Sequence, residues 1–220
     1  MPTSTVEDYL KVILLAEQSR PAELVGMGEI GAALDVAPGT VTAMVKTLAD
    51  SGLLRYEPYS GVALTPAGRQ LATHVLRRHR LVELFLVRVM GMDWSEVHDE
   101  AERLEHVISD RLLERMDAIL DRPAVDPHGD PIPDARGIVV EPELVTLLSC
   151  PQGQRVRVAR VTDQSAEFLR LVERSGLMPG SVVRVAKRDP SADTVEIRRR
   201  GSAHLSLGSR AASKILVEVQ

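Results

Sequence analysis

The chain has 220 residues, 44% of them apolar and 26% charged, the balance of an ordinary globular protein with room for one large domain or two to three small ones. A single cysteine, Cys150, excludes an intrachain disulfide and any cysteine-rich zinc or iron–sulfur site. No apolar run is long enough to cross a bilayer and the start does not read as a signal peptide, so a cytoplasmic protein with no membrane partner is expected. The net charge of -4 is unevenly spread: residues 1–80 carry 8 basic and 8 acidic side chains, residues 81–136 carry 6 and 14, and residues 137–220 carry 13 and 9. An acidic middle that also holds His98, His106 and His128 suits cations far better than phosphates. Any DNA-binding surface must therefore be local.

Residues 5–18 read as a first helix, with Thr5 as N-cap, Glu7 and Asp8 in the first turn, and Tyr9, Val12, Ile13 and Ala16 as its core stripe. Asp8, taken alone, does no more than complement the helix dipole. Next come a short helix predicted over Gly28–Leu34, a tight turn at Asp35–Ala37 and a second helix over Pro38–Asp50, with Pro38 in a first-turn position and Gly52 closing the end. Ile30, Ala33, Leu34, Val36, Val41, Val45 and Leu48 lock the pair together. Pro38, Gly39, Thr40, Thr42, Ala43 and Lys46 are left as small, hydroxyl and cationic groups able to approach a major groove. Strands at Leu53–Tyr56 and Val62–Thr65 flank the turn Glu57–Gly61 and form a wing that carries Arg55 and Tyr59. This order resembles the winged helix-turn-helix of bacterial transcription regulators; a helical hairpin packed only for structure is the plainer alternative.

Pro66 opens a long helix to about Val89, on which His79 and Glu83 stand one turn apart, placed for a metal or for a surface ion pair. Gly91–Trp94 break it, and from the Ser95 N-cap a further helix is expected to run to about Leu120. It contains HDEAERLEH, in which His98, Glu102, Glu105 and His106 at i, i+4, i+7 and i+8 share an arc of roughly 100°. Val97, Ala101, Leu104, Ile108 and Leu112 form a neighbouring apolar stripe. Two imidazoles and two carboxylates on a half-buried face are costly to desolvate without a neutralising cation. From this stretch alone, a divalent metal and a solvated acidic face remain equally open. Residues 121–143 hold five prolines among Asp126, His128, Asp130 and Asp134, and must be extended or turning. Short alternating strands follow at Arg155–Val161, Ser181–Ala186, Thr194–Arg198, Ala203–Leu207 and Ile215–Val219, with a helix over Ala166–Ser175 that ends at Gly176; they suggest a small β-barrel. Arg198, Arg199 and Arg200 read as a solvated hairpin end.

Taken together, the winged helix, the HxxxE pair, HDEAERLEH and PHGDPIP resemble the diphtheria-toxin-repressor family of iron- and manganese-dependent regulators over nearly the whole chain. The resemblance implies a mainly α protein with small β parts. A winged helix-turn-helix DNA-binding domain would occupy residues 1–72, a helical metal-binding and dimerisation domain 73–142, and an SH3-like (FeoA-like) β-barrel 150–220. It implies a homodimeric repressor of metal-ion homeostasis that needs a metal to bind a palindromic double-stranded operator. A primary site would use Asp8, Glu102, Glu105 and His106. An ancillary site would use His79, Glu83 and His98, joined as in manganese sensors by Asp126, His128 and Asp163, with Glu167 a rival to Asp163. The iron-sensing members place sulfur where this chain has Asp8 and Glu102, and the short manganese-sensing members place a further carboxylate where it has Lys11.

An oxygen-rich set suits Mn(II), with Fe(II) second; Zn(II), Co(II) or Ni(II) are expected to bind in vitro by the Irving–Williams order. Three other readings stand beside this one. A winged-helix regulator answering to a small organic ligand would show no metal dependence. A metal-dependent hydrolase would need an open metal position and a general base, and the sequence offers no Ser/His/Asp arrangement, phosphate-cradling loop or HExxH, so neither an enzyme nor a small-molecule substrate is expected. A metal store or chaperone would lack operator binding.

Overall fold

The computed structural model describes residues 3–20, 23–199 and 204–220. It divides into two compact units. One comprises Met1–His79, Glu102–Leu113 and Pro133–Ile138; the other comprises Arg80–Ala101, Glu114–Ile132 and Val139–Gln220.

In the first unit, α1 (Ser4–Ser19) is capped by Thr3, whose hydroxyl accepts from Val6 N at 3.4 Å, so the cap falls earlier than the expected Thr5. Helix α2 (Met27–Leu34) ends where Asp35 turns left-handed at φ 52°, and α3 (Pro38–Asp50) starts on Pro38. Strands β1 (Leu54–Glu57) and β2 (Gly61–Leu64) pair antiparallel, Leu54 opposite Leu64 and Glu57 opposite Gly61. The wing tip carries Tyr59, fully exposed and at φ 65°. Tyr9, Leu10 and Ile13 of α1 share one core with Ile30 of α2, Val41, Val45 and Leu48 of α3, and Leu54 and Val62 of the wing. Tyr9, Ile13, Ile30, Val41, Val45 and Leu48 are positions that the helical period marks for burial, whereas Leu10 joins the core beyond the expected stripe and Ala33, expected in it, is exposed.

Helix α4 (Pro66–Arg88) is one unbroken element, with His79 in the first unit and Glu83 in the second. The single helix expected from Ser95 to about Leu120 does not form. Helix α5 (Val97–Leu104) stops, Val107 N and Ile108 N both bond Leu104 O, and α6 (Asp110–Ile119) begins anew. Ser109 is the reason: its carbonyl accepts from Leu112 N and Leu113 N, its Oγ lies 3.3 Å from Leu112 N, and Asp110 follows in the first turn. Glu105 and His106 therefore lie in a turn rather than on the face that carries His98.

The second unit holds a six-stranded antiparallel sheet. Its elements are β3 (Val145–Thr146), β4 (Arg155–Val161), α7 (Ala166–Arg174), β5 (Val182–Asp189), β6 (Thr194–Arg199), β7 (Leu205–Gly208), α8 (Ser209–Ala212) and β8 (Ile215–Val219), with strand order β3-β8-β4-β5-β6-β7. All five expected strands are present, whereas β3 and α8 had no sequence signal; Arg200 and Ala203 lie outside the described residues. Alternation explains the core: Val156 and Val158 of β4, Val183 and Val185 of β5, and Val195 and Ile197 of β6 point inward with Phe168, Leu169 and Val172 of α7.

The proline-rich stretch contains neither helix nor named strand, as expected, and part of it is moored to β4. Val161 N bonds His128 O at 2.9 Å, and Arg160 Nε reaches Gly129 O at 3.3 Å. Gly129 sits at φ 90°, where a Cβ would stand 1.9 Å from Ala159 O. Gly129→Ala should therefore destabilise the protein by about 1–3 kcal/mol, a fall in Tm of roughly 2–10 °C. An unchanged calorimetric melt would show that the mooring is not a close fit.

Candidate metal centre

In the first unit, α1 and the turn after α5 bring acidic and imidazole groups together. Asp8, Glu105 and His106 offer ligand atoms within 4.8 Å of one another, and so do His79, Glu102 and Glu105. His106 Nε2 lies 2.9 Å from Asp8 Oδ1 and 3.4 Å from Glu105 Oε1. His79 Nδ1 lies 2.5 Å from Glu105 Oε2 and 3.5 Å from Glu102 Oε1. The four residues of the expected primary site are thus assembled, with His79 added to them.

Glu7 and Arg78 of this cluster carried no functional signal in the sequence, and Lys11 entered only as a departure from the short manganese-sensing members. Glu7, read only as a first-turn acid, is buried and takes the other ring nitrogen of His106 at 2.7 Å, with Arg78 at 3.5 Å on its second oxygen. Lys11 places Nζ 2.7 Å from Glu102 Oε1 and 2.6 Å from Glu105 Oε1. Burial works against the Lys11 charge, but Glu105 and Glu102 outweigh it and hold the ammonium above its ordinary pKa. Glu105 is fully buried; desolvation alone would raise its pKa, yet His79 and Lys11 bring it below the ordinary value. Asp8 moves the other way, pushed up by burial and by Glu102 and Glu105 against the pull of His106 and Lys11.

The second unit holds a separate cluster. Glu83 of α4 meets Asp126 and His128 of the moored stretch, all three buried and within 4.8 Å. His98 Nδ1 of α5 lies 3.3 Å from Glu83 Oε1. Asp126 Oδ1 accepts from His128 N at 2.8 Å and Asp130 N at 3.0 Å, which fixes the short turn and aims His128. The imidazole stacks on Trp94 at 5.5 Å between centroids, and its Nε2 reaches Trp94 O at 2.9 Å. Against a carbonyl oxygen Nε2 must carry the proton, which leaves Nδ1, 3.7 Å from Glu83 Oε2, to face the carboxylates. Burial, Asp130 and Glu83 push the Asp126 carboxyl up to about 7, in spite of His128 and Arg80. Burial disfavours charge on His128, but Glu83 and Asp126 prevail and its pKa is raised.

Asp163 lies elsewhere in its own pairings. It binds Lys214 and accepts from Ser165 N at 3.0 Å, contacts that hold its carboxyl at about 2. It belongs to none of the ligand groups among the described residues, and its rival Glu167 is exposed on the first turn of α7.

Both clusters fit a divalent cation. His128 Nδ1 is buried and makes no hydrogen bond, and buried Asp8 Oδ1 faces the His106 ring nitrogen at 2.9 Å without a hydrogen bond of good geometry. Such atoms are costly unless something satisfies them, and a metal ion does so at both. The donors are carboxylate oxygens and imidazole nitrogens, a set for Mn(II), Fe(II) or Zn(II) rather than for a thiophilic ion.

On α3, Pro38, Gly39, Thr40, Ala43 and Lys46 are exposed, and Thr42 is partly so with its hydroxyl donating to Pro38 O at 2.9 Å. Tyr59 at the wing tip is likewise exposed.

Comparison with known proteins agrees with this geometry. Residues 1–62 match the family described as "Iron dependent repressor, N-terminal DNA binding domain", residues 65–134 match "Iron dependent repressor, metal binding and dimerisation domain", and residues 145–219 match the FeoA domain. The iron-dependent repressor IdeR of Mycobacterium tuberculosis is 34% identical, over 97% of this chain and 96% of its own length. The diphtheria toxin repressor of Corynebacterium diphtheriae is 31% identical, over 84% and 85%. Among solved structures, a manganese-dependent transcriptional repressor in complex with manganese superposes with a TM-score of 0.87 at 40% identity, covering 98% of this chain and all of that one. The repressor ScaR with bound Cd2+ gives 0.77 at 34% identity, covering 99% of each. The chain belongs to the diphtheria-toxin-repressor family of metal-dependent transcriptional repressors, DNA-binding regulators and not enzymes, with an SH3-like FeoA domain at its C-terminal end.

Proposed function

We propose that this repressor is switched by Mn(II), and that as a homodimer it binds a palindromic operator in the cytoplasm and governs metal-ion homeostasis. The observation that carries the reading is the donor set, in which Asp8, Glu102, Glu105 and His106 contribute oxygen and nitrogen without sulfur. Iron is the second reading, favoured by the iron-dependent relatives. In the metal-loaded form Asp8 holds α1 to the turn that bears Glu105 and His106. Helix α1 shares its core with α2 and α3, so fixing one end of it fixes the attitude of the reading surface. Glu83, Asp126 and His128 form a second metal position, to which His98 contributes through α5, while His79 stays with Glu102 and Glu105 of the first. Pro38, Gly39, Thr40, Thr42, Ala43, Lys46 and Tyr59 are assigned to DNA.

A mobility-shift titration against the gene's own upstream region, with Mn(II), Fe(II), Co(II) and Zn(II) in turn, tests this. Mn(II) is expected to promote the shift at the lowest buffered concentration relative to its cellular abundance. Zn(II) is expected to bind tightly in the tube whatever its biological role. A shift independent of any metal would instead favour an organic effector, and light scattering of the loaded protein reports the dimer.

A further inference from the structure

Within the first cluster one feature opposes metal entry rather than assisting it. Lys11 stands three residues after Asp8 on the same face of α1, and its side chain is 6% exposed. Its Nζ spans Glu102 Oε1 and Glu105 Oε1, both at salt-bridge distance. The remaining oxygen of Glu105 is taken by His79. Both oxygens of the deepest carboxylate are therefore engaged before any ion arrives. An ammonium taken out of water needs compensation on this scale, and two buried or half-buried carboxylates provide it. Conversely, carboxylates packed this closely would repel one another without a cation among them.

We propose that Lys11 is the built-in counter-cation of this centre: it holds Glu102 and Glu105 when metal is absent, and the incoming ion must take those oxygens from it. The inference rests on the assignment of these two residues as metal ligands and adds a role for a residue that is not itself a ligand. Lys11 gives the metal-free centre a definite, neutralised arrangement. It also sets how much metal is needed, because the apparent affinity is the intrinsic one multiplied by the fraction of molecules in which the ammonium has left its two partners. A positively charged gate acts on any divalent ion, so it sets the threshold of the response without choosing between metals.

The test compares full-length wild type, Lys11→Met and Lys11→Arg in two measurements: Mn(II) affinity by competition with a chelating fluorophore, and melting temperature without metal. Lys11→Met should melt lower without metal and bind Mn(II) at least about tenfold more tightly, since the competitor is gone. Lys11→Arg, which keeps the charge, should stay close to wild type in affinity. Should metal-free Lys11→Met fail to fold at the working temperature, Lys11→Gln retains a hydrogen-bond donor without the charge and reads the same affinity. A Lys11→Met or Lys11→Gln protein that binds Mn(II) no tighter than wild type, or more weakly, overturns the proposal and makes Lys11 a support for the ligands. Wild type that binds no Mn(II), Fe(II) or Zn(II) at all overturns the metal assignment itself, which is a separate outcome.

Discussion

Asp8→Ala is expected to abolish metal-stimulated operator binding while leaving the fold intact, and Glu102→Ala to do the same. Changing a partner that merely orients a ligand costs about 10–100-fold in metal affinity, so losing a ligand outright should cost more than about 100-fold. Asp8 is a favourable position for this test because its absence relieves the metal-free protein of strain. Its carboxyl is pushed up by burial and by two neighbouring carboxylates, which outweigh His106, whose Nε2 lies 2.9 Å from Oδ1, and Lys11. The metal-free Asp8→Ala protein should consequently melt no lower than wild type, while the rise in Tm on adding Mn(II) shrinks. Calorimetry with and without Mn(II), beside a mobility shift, separates the two effects. Full metal-dependent shifting by Asp8→Ala would remove Asp8 from the ligand set.

Arg80→Met should be among the most destabilising single changes in the second unit. The guanidinium is buried, donates to Pro131 O, and stands 3.8 Å from both Asp126 Oδ2 and Asp130 Oδ1. Removing one partner of a buried charge pair costs about 3–5 kcal/mol, here as a stranded Asp126 and an unsatisfied carbonyl. The loss should depend on pH. The Asp126 carboxyl titrates at about 7 in the folded protein, against about 3.9 in an unfolded chain. Between those values the folded state binds a proton that the unfolded state has released. This group's contribution to stability is therefore fullest below the lower value, declines as pH rises through the window, and is gone above about 7. Arg80→Met should then lose more stability at pH 8 than at pH 6, where a proton can stand in for the missing cation. Metal affinity at this cluster should climb over the same window as Asp126 gives up its proton. Urea unfolding at the two pH values is the measurement, and equal losses at both would show that Asp126 is not the group responding.

The elements of the fold were largely written in local patterns, and the exceptions have physical causes. Strands β4 and β8 fall on the bounds their alternation marks, and α3 starts at the proline that suits a first turn. The division between α5 and α6 was obscured because Glu105–Ile108 contains neither glycine nor proline and the apolar period runs through it. The Ser109-Asp110 pair was the only breaking signal. That misreading put His98 and His106 on one face, whereas the turn sends His106 to Glu7 and Asp8, and His98 meets Glu83. Residue types in the motif were legible as ligands; their partition was not. Lys11 was legible only as a departure from the family pattern, and its pairing was hidden for a related reason, since its partners lie 91 and 94 residues away in sequence. His79 likewise reads from sequence as the partner of Glu83 one turn on, and in the fold also reaches across to Glu105 and Glu102. A spacing rule sees only neighbours along one helix, and both of these residues find theirs across the chain.

Neither ligand cluster among the described residues contains a cysteine. The chain's one thiol, Cys150, is buried in the core of the second unit, with its pKa raised by that burial despite the nearby Arg188. A protonated, enclosed thiol is a poor target for peroxide, which acts on exposed thiolates. The donor set proposed for sensing therefore holds no thiolate that an oxidant could remove. A sensor ligated through thiolates would lose its donors to the same oxidant.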